Sequence, residues 1–268
     1  MKTKNIEIQT LSELSEPVKE IIDIPRPVVA FSKDFEDGHV IDFHKHWRAQ
    51  LLYASKGVMT VTTENGIWVV PPFRGVWIPG DTVHKILCSG ELQLRTLYLD
   101  PKCTPEQPKS CQVLSIPPLL RELILEAMTF PHLYPVDGPE TRLIQVILDQ
   151  IHTLTVDPLD LPLPRDPRLI QIYDELSENP ADNRTLEAWA KQVNSTSRTL
   201  LRLFRNETGM SFNQWRQQMR ILVALRQLGR NEAVTTVALN LGYNSPSAFI
   251  SMFKKLLGET PSQYFKKG

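Results

Sequence analysis

The sequence predicts an α+β multidomain protein: an antiparallel β domain followed by two helices, then an all-α domain carrying two helix-turn-helix units. Three observations lead there. Short β-rich runs broken by turn signals fill residues 21–101. Four prolines, Pro158, Pro162, Pro164 and Pro167, then forbid helix and favour an extended spacer. Beyond Pro167 every patterned segment repeats its apolar residues at helical spacing. The parts divide as residues 1–156, a proline-rich linker at 157–167, and residues 168–268.

Residues 1–20 lack periodicity and read as a poorly ordered lead-in. Pro25-Arg26-Pro27 breaks any helix, and strands are expected at Val28–Phe31, Leu51–Ala54 and Val58–Thr63. Glu64-Asn65-Gly66 reads as a hairpin turn, since Asn-Gly suits a type I′ turn. Ile67–Val70, Trp77-Ile78, Lys85–Leu87 and Leu92–Leu99 follow as strands. Such a series makes an antiparallel sandwich or small barrel. One helix is expected over Pro117–Phe130, with Leu120, Leu123, Ile124, Ala127 and Met128 on one face. A second runs over Glu140–Leu154, with Leu143, Ile144, Ile147, Leu148 and Ile151. These stripes serve either to cover the β domain or to pack a dimer.

In the last part, helices are expected at Arg168–Asn179, from a Thr185 cap through Val193, from a Thr196 cap over Ser197–Glu207, and at Phe212–Leu228. The stretch Val237–Tyr264 is the most informative. Gly242 follows the apolar stripe Val237, Ala238, Leu241 and suits the left-handed position that ends a helix. Ser245 is a good N-cap, and Pro246 falls at the first helical position, where its missing N–H costs nothing. Phe249, Phe253 and Leu256 continue at helical spacing, so the stretch reads as helix-turn-helix. It has an earlier counterpart. Leu186, Trp189, Ala190 and Val193 line one helix, Asn194-Ser195 turns, and Leu200, Leu203 and Phe204 line the next. Arg198, Arg202 and Arg205 fall at i, i+4 and i+7 on the opposite face. A solvated charged face explains one such row alone. Two units in series on a basic segment argue instead for guanidiniums that meet guanine edges and phosphates.

The formal net charge is zero over 268 residues, but the charge is divided. From Arg184 onward there are 13 Lys/Arg against 4 Asp/Glu, whereas the first 165 residues carry 16 against 21. A basic end behind an acidic remainder suggests a polyanion-binding module joined to something else. Three sparse cysteines, none in CxxC spacing, argue against a disulfide framework or zinc finger and for a reducing compartment. The N-terminus has no apolar core of a leader peptide, and no apolar run approaches the ~18 residues of a membrane span. The chain reads as soluble and cytoplasmic, with no membrane partner.

Residues 168–268 resemble the DNA-binding domain of the AraC/XylS family of bacterial transcription regulators. The residues that carry the likeness are Ala238, Gly242-Tyr243, Ser245, Ser247, Phe249, Phe253-Lys254-Lys255, Gly258, Thr260-Pro261 and Tyr264. Upstream they are Leu186, Ala190, Thr196, Arg198, Leu200, Arg202, Phe204 and Gly209-Met210-Ser211-Phe212. The resemblance implies two recognition helices in adjacent major grooves about 10 bp apart. It places base contacts at Arg198 and Arg202 in the first unit and at Ser247 and Ser251 in the second. Arg is frequent in the family where Ser251 stands, so the second helix is expected to lean on phosphate contacts from Lys254 and Lys255, as Arg205 can in the first.

Residues Gly38, His44, His46, Gln50 and Gly57 resemble the first motif of the cupin barrel, with Gln50 where Glu is usual. Pro79–His84 resembles the second, with Asp81 for the usual Gly and Cys88 for the usual Asn. In metal cupins the equivalents of His44, His46, Gln50 and His84 bind one ion, and three imidazoles suit Zn, Fe(II), Ni or Cu. A strand would bring His44 and His46 to one face, since residues i and i+2 point the same way. The regulator family commonly uses this barrel for small effectors without metal. No cofactor is fixed, and a divalent metal in the barrel is the one candidate. The segments around Leu51–Ala54, Trp68–Pro72 and Val76–Pro79 resemble a subgroup of the family with drug- or metal-responsive members.

The leading expectation is a sequence-specific DNA-binding transcriptional regulator, not an enzyme. A cupin-like domain (1–156) would bind a small-molecule or metal effector and dimerise, and a double helix-turn-helix domain (168–268) would bind double-stranded promoter DNA as part of a homodimer. The alternative is a metal-dependent cupin enzyme with a helical appendage. His44, His46 and His84 favour it; Gln50 and the basic helical third do not.

Overall fold

The structure, a computed structural model, describes residues 16–265. The expected irregular lead-in therefore lies outside the described residues up to position 15. From there Glu16–Ile22 forms a short helix, α1, rather than irregular chain. The chain divides into two compact units, the main change-over lying between Leu159 and Asp160, with the short turn segment Glu64–Ile67 grouped with the second.

The first unit is built from β1 (Val28–Phe35), β2 (Val40–His44), β3 (Ala49–Ala54), β4 (Val58–Thr62), β5 (Gly66–Val70), β6 (Arg74–Ile78), β7 (His84–Ser89), β8 (Leu92–Leu99) and β9 (Gln112–Ser115). Helices α2 (Pro118–Ala127) and α3 (Pro139–His152) follow, then β10 (Val156–Asp157). Two antiparallel sheets result. One has the order β1-β8-β3-β6-β9-β10, and the other carries β5-β4-β7-β2. β9 was not expected, because its four residues are too few to show a period. The β4–β5 turn differs from the type I′ expectation. Neither Asn65 nor Gly66 takes a positive φ, which that turn requires at both centres.

Strand alternation sorts the side chains of the first sheet. Ala49, Leu51, Tyr53, Leu97, Leu99 and Val28 form one buried cluster with α2 and α3. That cluster takes up Leu120, Ile124, Ala127, Ile144, Ile147, Leu148 and Ile151, so the predicted helical stripes cover the sheet. Their neighbours one residue along, Gln50, Thr96 and Tyr98, point the other way. Both faces of β3 are thereby dry, and all six of its residues are buried. α1 packs Ile21 and Ile22 against Val29 and Tyr98.

The second unit begins with the short extended piece β11 (Asp160–Pro162) and continues with α4 (Pro167–Glu178), α5 (Leu186–Gln192), α6 (Ser197–Thr208), α7 (Phe212–Gly229), α8 (Val234–Asn240), α9 (Pro246–Leu257) and α10 (Pro261–Tyr264). The proline-rich segment is extended as expected, but it is also pinned. The Trp215 indole N–H donates to the Pro162 carbonyl at 3.1 Å, and Gln218 donates to the Asp160 carbonyl at 3.1 Å. α7 is the centre of the unit. Besides the expected Trp215, Met219, Leu222 and Leu225, it buries Ile221, Val223 and Ala224, so helices surround it on several sides. Its start is fixed by a capping box between Ser211 and Gln214.

Candidate functional site

Two places in the molecule collect the residues singled out from the sequence. The first lies between the sheets of the first unit. His44 and His84 pair directly across β2 and β7, while Gln50 on β3 is registered against Tyr98 on β8. His46 reaches both groups. Its ring lies 5.3 Å from His84 and 6.1 Å from His44, and it meets Tyr98 edge-on at 5.1 Å. One ring nitrogen from each of the three histidines lies within 4.8 Å of the others.

The way His46 arrives corrects the expectation from strand alternation. β2 ends at His44, with a register shift just before it, so His46 is not on the strand. It lies in the turn into β3, held there because the Asp81 N–H donates to the His46 carbonyl at 2.7 Å. Asp81 itself has φ 59°. That left-handed conformation is what the usual glycine supplies at this position, and Asp is among the few other residues that tolerate it.

All three rings are buried. Burial holds each below the usual imidazole range, furthest for His84, where the two neighbouring imidazoles push the same way. Each Nδ1 faces a backbone carbonyl: His44 to Asp42 at 2.7 Å, His46 to Arg48 at 2.7 Å, His84 to Thr82 at 2.8 Å. Gln50 Oε1 lies 3.2 Å from His46 Nε2, and its amide nitrogen donates to Thr96 Oγ1 at 3.0 Å. Cys88, which replaces the usual Asn of the second cupin motif, is fully buried, and burial pushes its thiol up to about 11.

Arg48 escaped the sequence reading. It is 2% exposed, and its guanidinium donates to the carbonyls of Ile22, Ile24 and Arg26 at 2.6, 2.5 and 3.0 Å. It ties the chain after α1 to the start of β3. The available signal was a cation directly before an apolar strand.

The second place is the pair of exposed helix faces in the second unit. α5 and α6 make one helix-turn-helix, α8 and α9 the other. In both, the first helix ends in the same pair of bonds. Ser195 N–H donates to the Ala190 carbonyl and Asn194 N–H to Lys191; Tyr243 N–H donates to Ala238 and Gly242 N–H to Leu239. In both, a hydroxyl caps the second helix: Thr196 accepts from the Thr199 N–H and Ser245 from the Ala248 N–H, each at 3.2 Å. Counted from those caps, Arg198, Arg202 and Arg205 stand in register with Ser247, Ser251 and Lys254. All six are exposed, as is Lys255, while Leu200, Phe204, Phe249 and Phe253 are buried beneath them.

The basic residues of this unit are not equivalent. Arg184 forms ion pairs with Glu175 and Asp182 and lies over the Trp189 ring. Arg216 donates to the Arg184 carbonyl, and Arg220 to the Pro180 and Asp182 carbonyls. These three hold the 180–184 loop. Among the described residues no hydrogen bond or ion pair engages the guanidinium of Arg198, Arg202 or Arg205. The charge count from sequence therefore overstates the basic surface and understates how it is focused on α6.

Residues 27–177 match the family described as an AraC-like ligand binding domain, and residues 189–267 match a helix-turn-helix domain family. The chain is 38% identical over 224 residues to the HTH-type transcriptional regulator NimR of Escherichia coli, an overlap of 84% of this chain and 82% of NimR. The chain belongs to the AraC family of transcription regulators. This AraC-family regulator is also 32% identical over 139 residues to RipA of Corynebacterium glutamicum, covering 52% of this chain and 41% of RipA. With the arabinose operon regulatory protein of E. coli it shares 31% over 103 residues, 38% of this chain and 35% of that protein. The predicted architecture stands: an antiparallel ligand-binding domain precedes a helical DNA-binding domain. No described helix of the regulator is long and apolar enough to cross a membrane.

Proposed function

We propose that α6 and α9 are the two DNA-reading helices, with α6 reading most of the sequence. Arg198 and Arg202 meet base edges, and Arg205 meets a backbone phosphate. On α9, Ser247 and Ser251 face the bases while Lys254 and Lys255 engage phosphate. What carries this reading is the sorting of the arginines. Those that fold the unit are engaged internally, and those of α6 stand exposed in register with the α9 positions. Arginine pairs with guanine bidentately, whereas serine offers a single hydroxyl to either base type.

The domain plan behind it is an effector-binding and dimerising part through residue 156, a linker at 157–167 and the DNA-reading part from 168. His44, His46, Gln50 and His84 mark the effector site. An effector acts there only if it favours one packing state over another. Leu119 and Val146 remain exposed on α2 and α3 (55% and 41%) and supply apolar surface for a homodimer. The barrel is a sensor rather than an enzyme, because Gln50 leaves it without the carboxylate ligand of metal cupins. A cytoplasmic location follows from the DNA partner.

Selection of binding sites from random duplexes by the full-length protein tests this. The expected result is a motif with two parts centred about 10 bp apart, the stronger part lost in Arg198→Ala and Arg202→Ala. A pool without a motif overturns the reading. Sedimentation showing only monomer at micromolar concentration, with and without DNA, removes the homodimer.

A further inference from the structure

The arginine face of α6 also carries a residue that is not basic. Leu201 lies three residues after Arg198 and four before Arg205, and residues at those spacings are neighbours on a helix surface. It is 48% exposed, whereas Leu200 and Phe204 are fully buried. A single exposed leucine calls for no explanation. The second unit, however, repeats it. Counted from the caps Thr196 and Ser245, Leu201 corresponds to Ile250, which is half-buried and stands three residues after Ser247 and four before Lys254. Both second helices thus carry a branched aliphatic side chain at the same place, beside the residues that face DNA.

Local helix formation does not account for the pair. Ile is a poorer helix former than the Lys, Arg or Gln that suits an outward position, because its β-branch restricts χ1. Leu201 stands among three guanidiniums, on the face that an amphipathic helix keeps polar. The major groove offers an apolar group to such a side chain. Thymine presents its C5 methyl there beside O4, whereas cytosine presents an amino donor. A guanidinium gains nothing specific from that methyl, but a branched aliphatic chain takes it out of water. Leu201 is displaced from Arg198 by about 4.5 Å along the helix, little more than the ~3.4 Å rise of one base step. The two side chains can therefore reach adjacent base pairs.

We infer that Leu201 and Ile250 read thymine methyl groups in the major groove, one in each part of the bound sequence. Leu201 selects thymine next to the guanine that Arg198 or Arg202 binds. Ile250 gives the second unit a base preference beyond what the hydroxyls of Ser247 and Ser251 supply. The inference rests on the reading of α6 and α9 as the two DNA-reading helices, and it adds a contact of different chemistry to each.

The test uses full-length protein and the duplex it selects from random sequence, made with thymidine or with deoxyuridine. Deoxyuridine keeps every hydrogen-bonding group of the base edge and lacks only the methyl. It is placed in one part of the motif at a time, and binding is followed by fluorescence anisotropy. In the wild type each replacement should weaken binding about fourfold, the worth of one buried methyl group. Leu201→Ala keeps a good helix former at an exposed position, so the fold should hold. It should bind the thymidine duplex more weakly and lose the thymidine preference in one part of the motif only. Ile250→Ala should lose it in the other part. Where Ile250→Ala does not fold, a deoxyuridine effect that Leu201→Ala leaves intact in that part stands in its place. A motif without thymine, equal binding of both duplexes by the wild type, or an undiminished thymidine preference in Leu201→Ala overturns the inference. Arg202→Ala separates this from the reading beneath it. If that variant weakens binding while deoxyuridine does not, α6 remains a reading helix and the methyl contact falls; if neither change has an effect, both fall.

Discussion

The two helix-turn-helix units share a scaffold and differ in what is mounted on it. Val193 and Leu241 end the first helices, and Thr196 and Ser245 start the second ones. Two residues separate these caps in the first unit and three in the second. Each turn needs a left-handed residue, Asn194 at φ 50° and Gly242 at φ 75°. Asn suffices in the first unit. In the second, a Cβ on Gly242 would lie 2.6 Å from the Ala181 carbonyl oxygen and 2.9 Å from its Cα. The second turn is thus packed against the 180–184 loop that Arg216 and Arg220 hold. The second unit is the more constrained by the fold, and it carries Ser247 and Ser251 where the first carries Arg198 and Arg202. If α6 is the main reader as proposed, the unit richer in family signature residues is the weaker one.

The largest test of that difference is Gly242→Ala. Strain at positive φ plus backbone overlap should cost roughly 2–4 kcal/mol in denaturant unfolding followed by circular dichroism. Asn194→Ala has only the conformational penalty, about 1 kcal/mol. Equal losses at the two positions would break the comparison. Next is Arg202→Ala, expected to weaken specific DNA binding by roughly 1–3 kcal/mol in fluorescence anisotropy. Ser251→Ala should change it by less, and Ser251→Arg should sharpen sequence preference at that half. Unchanged affinity in Arg202→Ala sinks the assignment of α6 as the main reader.

The caps sharpen what is common to the units. Thr196→Ala and Ser245→Ala should each cost about 1 kcal/mol of stability, since each hydroxyl satisfies one otherwise open N–H. A large inequality would mean that the turns bear load differently than their matching bonds indicate. Smallest is Lys254→Ala. It should weaken specific and non-specific DNA alike and lower the slope of log affinity against log salt by about 1. A change confined to specific DNA would make Lys254 a base reader.

Much of the helical unit was legible because its signals are local. Thr196, Ser245, Pro246 and Gly242 act through bonds and torsions within a few residues, so reading them needs no partner. The two apolar stripes at 120–128 and 143–151 were legible as helices but not as to what they cover, because a stripe does not name its partner. The histidine cluster was legible only in part. His44 and His84 fall on strands, but His46 arrives through a turn set by the Asp81 N–H. No strand alternation encodes that approach. β9 was invisible because its four residues are too few for an alternation to stand out.

What the sequence by itself determined is therefore the local grammar: caps, turns, strand and helix periods, the two-part plan and the family resemblance. What only the tertiary structure decided is how chemically identical side chains divide their work. Arg48, Arg216 and Arg220 are drawn inward because open backbone carbonyls await them, while Arg198, Arg202 and Arg205 are left outside because the neighbouring apolar residues of α6 fill the core. A guanidinium is the same group in all six. Whether it folds the protein or faces a partner depends on which acceptors the distant chain brings to it, and that is settled only when the chain has packed.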